Sequence, residues 1–236
     1  VGQVAPALLR ALLPVLASLK SDPARTREAA VKTLAAFNAL LWPIGLGLAA
    51  VADSATPLLL GPQWQDAALY VAGFALVSVL QATPAPLLTL LVLEGHTRAQ
   101  FEVSLAEFGA FAAVSALCVP HWQIKGLVIA RLVGALAGAC TALWLAHRRC
   151  ALPTEGLRAA LLRPIGGALS MAWLVRALPE VTASVPLQLA FEVVSGGLLY
   201  AAWSAFSWSL CGRPEGFEST LLELALRWRQ RRVSTA

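Results

Sequence analysis

The chain has 236 residues, 58% of them hydrophobic and only 13% charged, against roughly 25% charged in an average soluble domain. With a mean hydropathy of +0.70 it carries more apolar surface than a water-soluble fold of this length can hide, which excludes soluble enzymes and soluble binding modules. The net charge of +5 names no partner until the basic residues are placed along the chain.

Long continuous apolar runs rich in Leu and Ala predict an all-α polytopic transmembrane helix bundle, because about 20 apolar residues cross a hydrocarbon core as a helix. A membrane β-barrel would instead alternate apolar and polar residues over about ten positions. About seven spans follow, at 1–19, 29–52, 67–93, 99–119, 124–147, 159–178 and 186–211. They make one membrane domain, 1–211, followed by a tail, 212–236. Val1 opens directly on an apolar run with no charged leader region, and the expectation is a piece of a longer protein.

Ionisable and polar residues inside spans are functional candidates, since they are costly in hydrocarbon. In the first span Gln3, Arg10 and Pro14 fall within about 40° on a helical wheel, and in the third Ser78, Gln81 and Thr89 fall within about 80°. Between the second and third spans the stretch 53–66, with LLGPQW at its centre, is too short to cross; Gly61 and Pro62 supply a turn. The fourth span groups Gln100, Ser104, Glu107, Ser115 and Cys118 within about 80°, with Glu102 nearly opposite.

The fifth span has Gly126, Ala130, Gly134 and Gly138 at steps of four, the pattern that lets helix backbones approach closely. Arg131 stands at the edge of that strip. Arg131 and Glu107 form a natural ion pair between neighbouring spans, although their expected depths differ by roughly 8 Å at 1.5 Å per residue. For Arg10 and Arg131 the alternative role is contact with phosphate or acidic sugars, which the planar guanidinium fork suits.

In the last span Glu192 is expected to snorkel to the interface. Pro14, Pro43, Pro84 and Pro86 each remove a backbone donor and can kink the spans that hold them, the alternative being that the helices simply tolerate them. Trp64, Trp122 and Trp208 fit the interfacial belt, and Trp42 and Trp173 fall deeper, where they could line a sugar path. Neither the three histidines nor Cys118, Cys140, Cys150 and Cys211 show metal-ligand spacing.

Most of the 18 lysines and arginines cluster at alternate connections, around 20–32, at Arg98, around 148–163 and after Arg213. The positive-inside rule then places the C-terminus in the cytoplasm. The tail mixes Leu221, Leu222, Leu224 and Leu226 with a basic RWRQRR run, which reads as an amphipathic helix at the anionic inner leaflet and not as a nucleic-acid contact.

The order ALLPVLASLKSDPARTR, LWPIGLGLAAVA, LLGPQW, LVLEGHTR and KGLVIARLVGALAG resembles the C-terminal half of bacterial polysaccharide exporters of the Wzx-like O-antigen flippase group. That group belongs to the multidrug/oligosaccharidyl-lipid/polysaccharide exporter superfamily. The likeness covers roughly residues 6–150 and rests on order and spacing. It implies a bacterial inner-membrane flippase that works by alternating access on a polyprenyl-pyrophosphate-linked oligosaccharide and joins a missing N-terminal half. The sequence itself shows no Gly-rich phosphate loop and no ATP-binding motif, and neither a cofactor nor an enzymatic step is expected. Arg10, Gln81, Gln100, Ser104, Glu107 and Arg131 are the expected substrate-pathway residues. Two other readings stay open: a cation-coupled multidrug exporter of the same superfamily, and a membrane-embedded glycan polymerase or ligase. The latter is disfavoured by the shortness of the longest outer loop and by the absence of a nucleophile with a nearby base.

Overall fold

A computed structural model describes residues 23–178 and 184–210. The expected first span and the basic tail, with Arg10, lie outside the described residues. Among the described residues every regular element is helical. Helix α1 covers Pro23–Ala50, α2 Ala52–Leu60, α3 Ala68–Ala82, α4 Ala85–Leu93, α5 Ala99–Cys150, α6 Thr154–Ala177 and α7 Val185–Leu210, with a 3-10 turn at Pro62–Ala67.

Local sequence accounts for most of these boundaries. Pro23 opens α1, where a missing N–H costs nothing. Gly61 stops α2 at φ 100°, a backbone region open mainly to glycine. The stretch 53–66 does not cross, as its length implies; it forms the short α2 and the 3-10 turn. The third expected span is interrupted: Pro84 and Pro86 lack N–H donors, and the helix breaks into α3 and α4 around Thr83 and Pro84.

Helix α5 runs 52 residues but contains one non-helical residue, Gln123, at φ 46° and ψ −124°. The chain folds back there. Gly126 lies against the Cys118 carbonyl, Gly134 against Glu107 and Phe111, and Gly138 against Glu107 again, so the two arms are antiparallel. At 1.5 Å per residue each arm exceeds the roughly 30 Å of a hydrocarbon core.

Four helical stretches are long and apolar enough to cross a membrane: 25–50, 62–93, 99–150 and 185–207. Helix α6 is not among them; it carries Glu155, Arg158, Arg163 and Arg176. It nevertheless packs along α1 through Trp42, Leu46 and Ala168 and, further on, Val51, Met171 and Val175.

The two ends of the bundle are built differently. At the end that carries Cys150, a single cluster draws Leu34 from α1, Leu90 from α4, Val103 and Leu145 from the two α5 arms, and Leu157 from α6. Two ion pairs rim it, Arg27 with Glu94 at 3.1 Å and Arg149 with Glu102 at 2.7 Å. At the end that carries the Gln123 turn, the second arm of α5 and α6 stand apart around an open cavity of about 650 Å³ that α1 and α3 also line. Helix α7 lies at the rim, with 11% of its apolar stretch buried against 44% for each of the other three. It is tied in by the Tyr200 hydroxyl, which donates to the Ala39 carbonyl at 2.7 Å, and by Trp203, which seats against Gly167.

Candidate functional site

The small residues of the second α5 arm explain where the charged side chains go. Within a membrane, helix association draws little from the hydrophobic effect and depends on close packing and interhelical hydrogen bonds. A Cβ at Gly138 would sit 3.2 Å from the Glu107 Cβ and 3.3 Å from its Oε2, so glycine there leaves room for the carboxylate between the arms. Glu107 Oε1 accepts a hydrogen bond from Arg131 Nη1 at 2.8 Å and a second, short one from Gln81 Nε2 on α3. Arg131 also lies 5.8 Å from the centre of the Phe111 ring, within cation–π range.

Three helical segments thus converge on one carboxylate. The Arg131–Glu107 pairing anticipated from the sequence is present, and the long arginine side chain spans the expected difference in depth. The pair is neither sealed nor free: the side chains are 35% and 21% exposed. Gln81, placed by the wheel on a separate face, joins them. Gln100 and Ser104 share the first arm with Glu107 but are exposed and do not enter the cluster. Ser115 Oγ, further along that arm, is buried with no hydrogen-bond partner among the described residues. Arg10 lies outside the described residues.

Residues 1–69 match the model of a family described as polysaccharide biosynthesis protein. The match ends before Gln81, so the carboxylate cluster lies outside it. No curated protein and no solved structure matches the chain. The similarity is to a family concerned with making polysaccharide, and the chain's long apolar helices suit a multi-pass membrane protein.

Two expectations are corrected by the packing. Glu192 does not snorkel: its Oε1 accepts from Ser54 at 3.2 Å and Gln188 at 3.1 Å, and its Oε2 is buried without a partner among the described residues. The facing helix α2, itself too short to cross, brings Ser54 to it. Trp42 lines no path, because it is buried and donates from Nε1 to Asn38 Oδ1 at 3.1 Å. Trp173, by contrast, lines the 650 Å³ cavity.

Asn38 is the polar residue that sequence reasoning passed over. It is fully buried on α1 and donates from Nδ2 to the carbonyls of Leu34 at 2.8 Å and Thr83 at 3.4 Å. The second bond has a clear cause. The Leu87 amide turns to the Pro84 carbonyl at the helix break, leaving the Thr83 carbonyl without its helical donor, and the side chain of Asn38 supplies one. A lone carboxamide in the middle of an apolar run was the signal that could have found it.

Proposed function

We propose that the chain belongs to a non-enzymatic transporter of the bacterial inner membrane that moves lipid-linked oligosaccharide across the bilayer by alternating access. In this reading it has about seven spans and a cytoplasmic C-terminus, and the Glu107–Arg131–Gln81 cluster is a polar station on the cargo's path. The observation that carries the reading is this cluster itself. An ionised pair with an amide, only partly buried on apolar membrane-length helices, is expensive unless it faces protein or water.

Its chemistry fits a phosphate-bearing cargo. Arginine has five N–H donors and Glu107 engages one nitrogen, so the guanidinium can meet phosphate oxygens bidentately. Glu107, itself bonded by Gln81, then holds the arginine in place when cargo is absent. The similarity of residues 1–69 to polysaccharide biosynthesis proteins supports a saccharide-bearing cargo.

The test is export of surface polysaccharide by cells that carry the full-length protein with Glu107→Gln or Arg131→Gln, at matched membrane levels. Loss of a charge-assisted hydrogen bond, about 1.5–3 kcal/mol, corresponds to a fall of about tenfold or more. Undiminished export by both variants would overturn the assignment.

A further inference from the structure

The cavity at the Gln123 end is separate from the Glu107 cluster and has a consistent geometry. Its walls come from α1, α3, the second arm of α5 and α6. On two walls a charged residue at the mouth is followed seven residues deeper by a leucine on the same helix, Lys125 and Leu132 on α5 and Arg176 and Leu169 on α6, while Asp53 at the start of α2 and Leu46 on α1 complete the lining. Seven residues are two helical turns, about 10 Å. The space is thus a slot about 10 Å deep, with charge only at its mouth and aliphatic groups below. Its volume, about 650 Å³, lies in the range of roughly 300–1,000 Å³ typical of small-ligand sites.

The charge at the mouth is unbalanced. Arg176 reaches Asp53 at 3.3 Å, both well exposed, a pair of the kind worth little. Lys125 makes no ion pair among the described residues. Two cations therefore face one carboxylate. Trp64 and Trp122, both exposed at this end, suit the headgroup level of a bilayer. The slot's mouth then lies where lipid phosphates lie, and its depth lies among their hydrocarbon chains.

We propose that this cavity binds an anionic membrane lipid, with its phosphate at Lys125 and Arg176 and one hydrocarbon chain in the slot beside Trp173. Charge complementarity selects an anionic headgroup, and the aliphatic floor selects a chain over a free anion. The inference does not depend on the transport reading, since it concerns other residues and any lipid of this chemistry.

The experiment uses the full-length protein in zwitterionic vesicles with a trace of phosphatidylglycerol or phosphatidylcholine, each carrying the same photoactivatable acyl chain. Adducts are then mapped by mass spectrometry. The expected result is labelling at Leu132, Leu169 and Ala172 that favours phosphatidylglycerol, with a loss of about fivefold in each of Lys125→Gln and Arg176→Gln, at about 1 kcal/mol per cation near a lipid phosphate. Filling the slot with Ala172→Trp should remove the adducts at Leu132 and Leu169. Labelling of the exposed Val194 and Leu198 on α7 should persist in every variant and report intact insertion. Equal labelling by the two lipids would overturn the proposal, as would cavity adducts that survive Ala172→Trp. If the α7 positions show the same headgroup preference as the slot, the contact is only that of surrounding lipid, and the proposal fails.

Discussion

The two ends of this bundle are made of similar residues and packed in opposite ways. At the Cys150 end, leucines and alanines from α1, α4, both arms of α5 and α6 meet in one cluster, braced by the half-buried pairs Arg27–Glu94 and Arg149–Glu102. At the Gln123 end, the same α5 arm and α6 have a 650 Å³ space between them, and its charged pair, Arg176–Asp53, stands in the open. Hydropathy is therefore a poor guide to which end of a membrane bundle is closed. What separates the ends is whether side chains from several helices find one another, because in lipid it is contact and not escape from water that holds helices together.

The strongest way to break this comparison is to hollow out each end in turn. Leu145 is 1% exposed and Leu169 is 52% exposed. Leu145→Ala should cost about 2 kcal/mol or more, because its neighbours cannot collapse into the gap. Leu169→Ala should cost less than about 1 kcal/mol. Reversible unfolding of the purified protein in mixed micelles measures both, and equal costs would mean that the two ends do not differ in packing.

A smaller effect is expected from the ion pairs. In Arg149 a single nitrogen meets both Glu102 oxygens, at 2.8 and 2.7 Å, with the side chains about two-thirds buried. Arg149→Gln should lower stability by about 1–2 kcal/mol, allowing for partial exposure. Arg176→Gln should lower it by less than about 0.5 kcal/mol, the usual scale for an exposed pair. The same unfolding measurement separates the two.

The smallest effect concerns the turn. Gln123 adopts φ 46°, where a side chain is strained, and glycine is the residue that adopts such a backbone freely. Gln123→Gly should raise stability by about 0.5–1 kcal/mol and leave the Arg131–Glu107 pair in place. A loss of stability would show that the Gln123 side chain does more at the open end than mark a bend.

Much of the hairpin was legible before any coordinates. Steps of four from Gly126 to Gly138 announced a close backbone approach, because that signal is written in a single helical period, and Glu107 and Arg131 announced a pair, because opposite charges in neighbouring apolar spans are costly apart. Gln81 was legible only as a polar residue on some face. Its meeting with Glu107 depends on how α3 lies across the first arm of α5, which no periodicity within α3 encodes. Asn38 and Glu192 follow the same rule: their partners Thr83 and Ser54 stand 45 and 138 residues away. The two prolines after Thr83 foretold a bend, but not which side chain would serve the carbonyl it exposed.

Composition and apolar run length, by themselves, determined that the chain is helical and built for a bilayer, because a backbone in hydrocarbon must satisfy its own hydrogen bonds and a helix does so within one segment. Which further polar groups converge, Gln81 on Glu107 among them, and which end of the bundle is open, only the tertiary structure decided. Those outcomes depend on the relative placement of helices far apart in the chain, and a helical wheel describes one helix at a time.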